Sequence, residues 1–309
     1  CPGGTPGRAE PAGCAYRGGM LMRIVSILFP LFAITALGYL VGRRYRPDLA
    51  EANRLNMEVF TPALVFAALA GREVHPADDL PLLGATLAVL AGSGAVGWAV
   101  ARWRGIDPRT LVPPMMFSNS GNLGLPLAVL AFGDAALAPA VVMFMVSNLT
   151  HFTFGAWLLD HNIKLSGVWR IPTVIATFGG LAVSLAGVEL WQPAMLAIKM
   201  LGDISIPLML FALGVRISES RIGAIRLGLI GAVARPLLGM ALSFALVWLI
   251  PLPERERALL IVFGALPPAV LNFLFAERYQ QEPQRVASIV LIGNLAALLF
   301  LPLALAWVL

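Results

Sequence analysis

FSNSGNLGLP, residues 117–126, interrupts an apolar run that begins near Thr110 and ends near Phe132. Two amides, two hydroxyls, two glycines and a proline stand where a membrane span is ordinarily least polar. Glycine and the short polar residues propagate a helix poorly. Proline removes a backbone hydrogen bond and clashes with the carbonyl one turn back. Gly121, Gly124 and Pro126 are therefore expected to open this segment near mid-bilayer. Broken backbone survives at that depth only where it packs on protein or lines a wet cavity.

The chain around it reads as a membrane protein. Of 309 residues, 59% are hydrophobic and 13% charged, against about 25% charged in a soluble domain. Ten apolar segments of spanning length recur, near 24–42, 54–71, 80–102, 110–132, 136–159, 170–188, 192–215, 226–250, 257–276 and 286–308. This predicts an all-α polytopic fold of ten transmembrane helices with no soluble domain. Cys1 and Cys14 both fall in the first twenty residues, which argues against a disulfide framework or a metal cluster. No cofactor is expected. Residues 1–21 lack an apolar centre and read as a disordered leader, or as sequence upstream of a start at Met20 or Met22.

Net charge is +5, but its distribution speaks of topology rather than nucleic acid. Loops after the odd-numbered segments hold fourteen basic residues, from Arg43 and Arg44 through Lys164 and Arg170 to Arg285. The opposite side holds six: Arg8, Arg17, Arg23, Arg72, Arg255 and Arg257. The positive-inside rule then puts both termini outside the cytoplasm and the loop between segments five and six inside.

The two halves resemble each other. ANRLNMEVFTPALVFAAL (52–69) aligns with AIKMLGDISIPLMLFALG (197–214) at an offset of 145, matching Pro62 to Pro207 and Phe66 to Phe211. Arg54 and Glu58 match Lys199 and Asp203, a basic–acidic pair at i, i+4 in each half. FSNSGNLGLP in turn answers FGALPPAVLN (263–272), where Pro267 and Pro268 should break segment nine. Five segments per half is an odd number, so the halves, 22–160 and 161–309, must enter the membrane in opposite directions. Inverted repeats with interrupted helices at matching positions mark secondary transporters. If the two breaks cross, each can satisfy the other's backbone, and half-helix N-termini beside the crossing attract anions. Asn119, Asn122 and Asn272 add neutral donors and acceptors there.

SNSGNLGLP and ALPPAVLNFLFAERY (265–279) closely resemble the signature stretches of the auxin efflux carrier family, which includes plant PIN-type carriers and bacterial malonate carriers. The resemblance covers Met22 to the end. It implies two inverted five-helix repeats related to the bile-acid and sodium/proton antiporter architectures, with helices four and nine crossing. It also implies elevator-like alternating access for small organic anions. The crossover residues it matches are Asn122, Gly124, Pro126, Pro267, Pro268 and Asn272; Asn119 and Gly121 join them in the substrate site expected here. The long cytoplasmic loop of many plant members is replaced by a short hairpin at 160–169, and two lysines against twenty arginines suit a GC-rich bacterial genome. Expected partners are a small organic anion, the lipid bilayer of the cell (inner) membrane, a proton as candidate coupling ion, and a second copy in a homodimer.

Other polar groups lie within the apolar segments. Asn148 and His151 share a face of segment five, where His151 could carry a coupling proton or be a neutral packed ring. Arg235 precedes Pro236 and needs a partner, a route to the interface, or an anionic substrate. The Arg54–Glu58 and Lys199–Asp203 pairs are candidate inner and outer gates, or charges paired to lower the cost of burial. Asn294 is expected to pack between helices. An intramembrane enzyme is disfavoured, since neither a Gly-x-Ser-x-Gly elbow nor a His-Glu-x-x-His motif appears. A channel would use rings of repeated residues. A carrier driven by membrane potential or a proton is the favoured reading, and a sodium-coupled organic-anion symporter of bile-acid-transporter type is the alternative.

Overall fold

Proline and glycine punctuate a chain that is otherwise helical through residues 12–71, 76–161, 165–219 and 223–309, the parts described by the computed structural model. Cys1, Arg8, Arg72, His75, Lys164 and Arg221, with the leader up to residue 11, lie outside them. The first half runs α1 (Ala12–Tyr45), α2 (Ala50–Leu55), a π turn (Asn56–Phe60), α3 (Thr61–Ala70) and α4 (Pro76–Arg104). It continues with α5 (Pro108–Met116), a π turn (Ser120–Gly124), α6 (Leu125–Phe132), α7 (Leu137–Thr150), a third π turn (His151–Gly155) and α8 (Ala156–Leu159). The second half holds α9 (Pro172–Leu185), α10 (Gln192–Glu219), α11 (Ile225–Leu249), α12 (Glu254–Gly264), α13 (Leu271–Arg278) and α14 (Pro283–Val308). The first turns of α1 thus fall in the stretch read as leader.

Six helical stretches are long and apolar enough to cross a membrane: Gly19–Tyr45, Leu80–Arg104, Asp134–Leu159, Gln192–Glu219, Ile225–Leu249 and Pro283–Val308. The other four expected segments are not single long helices, and each has a local cause. A π turn interrupts the second ahead of Pro62. The sixth is only α9, which starts on Pro172 and ends before Gly187 at φ +61°. The fourth and ninth are broken outright, between α5 and α6 and between α12 and α13.

Caps explain where the pieces begin. The Asp107 carboxylate accepts from the Arg109 N–H at 2.9 Å, and Pro108 sits in the first turn of α5, where its missing donor costs nothing. Within the spans, Thr35, Thr86 and Thr177 return their hydroxyls to the carbonyls of Leu31, Leu82 and Thr173. This hides polar atoms that lipid could not solvate. Large apolar side chains face outward instead: Trp248 is 89% exposed and Trp307 72%.

Packing divides the helices in two. α1 lies on α10, α10 on α3, and α3 on α9, forming a four-helix panel. α4, α5, α7, α11, α12 and α14 pack mainly on one another as a core. A Cβ on Gly38 or Gly214 would collide with Phe211 or Thr35 backbone, so glycine is what lets α1 and α10 touch.

Candidate functional site

The fourth segment opens at Phe117–Asn119, earlier than Gly121, Gly124 and Pro126 suggested. Phe117 is extended, at φ −99° and ψ 116°, and Asn119 leaves the helical region at ψ 54°. Pro126 instead occupies the first turn of α6, where proline is tolerated. Gly121 and Gly124 lie in the π turn and serve close approach: a Cβ on them would press on Phe144, or on Leu266 and Phe263. In the ninth segment Pro267 and Pro268 do lie in the break.

The two breaks meet as an antiparallel bridge at Ser118 and Pro268. The Asn119 N–H donates to Pro267 O at 2.7 Å, and the Ala269 N–H donates to Phe117 O at 2.9 Å. The bonds are reciprocal about the 118–268 pair, so each break supplies the backbone partner that the other lost. Three asparagines bind the crossing. Asn272 Nδ2 donates to Phe117 O (3.1 Å) and Ala269 O (3.0 Å). Asn294 Nδ2 donates to Pro268 O (3.0 Å) and Val290 O (2.8 Å), while Asn294 Oδ1 accepts from Asn119 Nδ2 at 2.8 Å. Asn294 thus does more than pack helices: it ties α14 to both breaks. The side chain of Asn122 makes no such bond. Together with Gly121 it is half-buried at the first turn of the half-helix, where N–H groups lack intrahelical acceptors.

Beside the crossing lies a cavity of about 690 Å³ between panel and core. Ser118, Asn119, Ser120, Gly121 and Asn122 form its floor, and Ser147, Asn148 and His151 one wall. Thr61 and Arg216 of the panel, with Arg54, Asn56 and Glu58 just before α3 and Arg170 just before α9, complete it. Three guanidinium groups and one carboxylate are among its lining side chains, with Arg54 paired to Glu51 outside the lining. Pro267, Pro268 and Asn272 support the floor from behind without lining it.

His151 is buried and stacks on Phe117, ring centroids 4.0 Å apart and 7° from parallel, with Phe275 tilted at 4.9 Å. Gly155 permits this, since a Cβ there would collide with both rings of the stack. Asn272 approaches the imidazole, although neither His151 Nε2 nor Asn272 Oδ1 completes a hydrogen bond.

The charge pairs differ from expectation. Arg54 bonds Glu51 at 2.7 Å, not Glu58, with both side chains largely exposed. Glu58 lies in the π turn that starts at Asn56 and lines the cavity instead. Lys199 and Asp203 are both exposed on α10, do not line the cavity, and form no recorded ion pair among the described residues. Arg235 is 1% exposed in the core and donates from Nη1 to Gly264 O at 3.0 Å. Sequence reasoning missed Ser118, Ser120 and Ser147 as lining residues. For Ser118 and Ser120, in broken helix, no fixed periodicity says which side chains turn inward; Ser147 stands four residues before His151 on regular α7, and that spacing was the available signal.

A family model described as Membrane transport protein matches residues 161–305. The chain is 26% identical over 305 residues to a Rhizobium meliloti protein named "Putative malonate transporter", covering 89% of this chain and 92% of that one. It is 25% identical over 305 residues to an uncharacterized transporter of Methanothermobacter thermautotrophicus, covering 92% and 98%. These relatives cover about nine tenths of the chain, and with its six long apolar helices the chain is a multi-pass membrane protein. Over residues 161–305 the chain is thus similar to the membrane transport protein family.

Proposed function

We propose that the protein is a secondary carrier of small organic anions, mono- or dicarboxylates, binding its cargo at the crossing of two broken helices. The observation that carries this reading is the floor of the cavity. Ser118, Ser120 and Asn122 with the first N–H groups of a half-helix face a space lined by Arg54, Arg170 and Arg216. Neutral donors and helix termini hold a carboxylate without a salt bridge that would slow its release.

The proposed architecture is ten spans in two inverted repeats of five, residues 22–160 and 161–309. Packing supports it: α1 lies on α10 as α9 lies on α3, α4 on α7 as α11 on α14, and α4 on α5 as α11 on α12. The reciprocal bonds at Ser118 and Pro268 have the same symmetry. The cavity is entered from the side of the basic loops, which the positive-inside rule places in the cytoplasm of a cell-membrane protein. This is an inward-facing state. Cargo seated on the core and a wall supplied by the panel suit an elevator, in which the core slides against the panel.

Uptake by the purified protein in proteoliposomes tests the proposal, using a panel of organic acids with imposed pH, sodium and potential gradients. Saturable uptake of at least one carboxylate, stimulated by a potential or pH gradient, is expected. Uptake that strictly requires sodium would favour the symporter alternative, and no carboxylate uptake in any gradient would overturn the reading.

A further inference from the structure

Behind the floor of the cavity lies a second, much smaller space inside the core. It holds about 20 Å³ and is lined by Arg235, Thr86, Leu90, Ser118, Ser120 and Ser147, among others. A water needs roughly 10–15 Å³ of such volume, so one particle of water size or slightly larger fits. The three serines line both spaces and therefore form the partition between them.

Arg235 stays charged at neutral pH, since a guanidinium does not give up its proton in proteins. It is 1% exposed, and its Nε has no hydrogen-bond partner. No ion pair with Arg235 is recorded among the described residues. α5, α7 and α11 contain no acidic residue; the acids of α4, Asp78 and Asp79, stand in its first turn, at least seven residues before Thr86, and those of α12 lie at its far end, Glu256 being eight residues from Gly264, roughly 12 Å along the helix. Buried charges are ordinarily paired.

Capping the end of α12 through Gly264 O does not account for this charge. α4 and α11 occupy matching places: a Cβ on Gly94 would meet Met116 at the end of α5, and one on Gly239 would meet Gly264 at the end of α12. Four residues before these glycines stand Leu90 and Arg235, both lining the small space. The end of α5 manages with leucine, so a break of this kind does not require an arginine.

We infer that Arg235, with the hydroxyls of Ser118, Ser120 and Ser147, binds a small inorganic anion of halide type inside the core, separate from the cargo cavity. Guanidinium N–H and hydroxyl groups are its donors, each hydroxyl being free to turn one hydrogen inward. A space of this size favours a single-atom ion over a carboxylate.

Thermal unfolding of the full-length protein in detergent, in sodium bromide against sodium gluconate at equal ionic strength, tests this. The expected result is a bromide-specific rise in apparent Tm that grows with the logarithm of bromide concentration. Arg235→Lys should keep part of the rise, and Arg235→Gln should lose it. If Arg235→Gln does not fold, Ser147→Val decides, since it fills the space and removes a donor. Anomalous scattering from bromide-grown crystals should show a peak beside Arg235. No bromide-specific rise, a rise that survives Ser147→Val, or a peak elsewhere overturns the inference. Stabilisation by malonate but not bromide also overturns it, assigning Arg235 to the cargo. None of these readouts needs transport, so failure here is distinct from failure of the carrier reading.

Discussion

The two breaks are alike in backbone and unlike in chemistry. Phe117–Asn119 and Pro267–Ala269 pair reciprocally, and each is followed by an asparagine at an equivalent place, Asn122 and Asn272. Asn272 turns back and donates to two carbonyls of the crossing, whereas Asn122 leaves the crossing and faces the cavity. Serine and glycine surround the first break; two prolines, which have no N–H to offer, form the second. One frame used twice thus permits a division of labour: the first copy turns polar groups to the cavity, and the second lines it with apolar side chains such as Ala269, Val270 and Leu271.

The sharpest way to break this comparison is to treat the paired asparagines alike. Asn122→Ala is expected to lower uptake roughly ten- to a hundredfold, the worth of one hydrogen bond to a charged group, at unchanged thermal stability. Normal uptake by a well-inserted variant would remove Asn122 from the site. Asn272→Ala should do the reverse: two buried carbonyls lose a donor, at a cost of about 2–4 kcal/mol read as a lower unfolding temperature in detergent. Equal stability in the two variants would end the division of labour.

Two smaller effects sharpen it. His151→Gln removes the stack on Phe117 and is expected to lower uptake a few-fold and flatten its pH profile. An unaltered profile would leave the ring only a packing role. Pro268→Ala should change stability by no more than about 1 kcal/mol, chiefly by loosening the unfolded chain, with uptake retained. A large loss there would mean that the second break also acts on cargo.

The crossing itself was legible in the sequence because glycine, proline and asparagine at mid-span are costly in an unbroken, lipid-facing helix. The partners around it were not. The Arg54–Glu58 pairing failed because Glu51, three residues before Arg54 and equally within reach on the helix surface, takes the guanidinium. Asn294 looked like packing because its partners, Asn119 and Pro268, are distant in sequence and lie in non-helical backbone whose direction no periodicity gives. Ser118 and Ser120 lie in that same non-helical backbone, whereas Ser147 shares its α7 face with His151, one turn on. The four-helix panel and six-helix core depend on long-range packing that apolar segments of similar composition do not encode individually.

The reciprocal bonds of the crossing also carry a consequence for how the chain is made. Phe117 O finds its partners at Ala269 and Asn272, and the Asn119 N–H at Pro267, all about 150 residues later. At synthesis rates of about 5–20 residues per second, the first break waits roughly 8–30 s for the second. During that interval its open carbonyls and amides must be met by water or by helper proteins at the insertion site, since lipid offers them nothing. The first half of this molecule is therefore an obligate ward of the insertion machinery until its counterpart arrives.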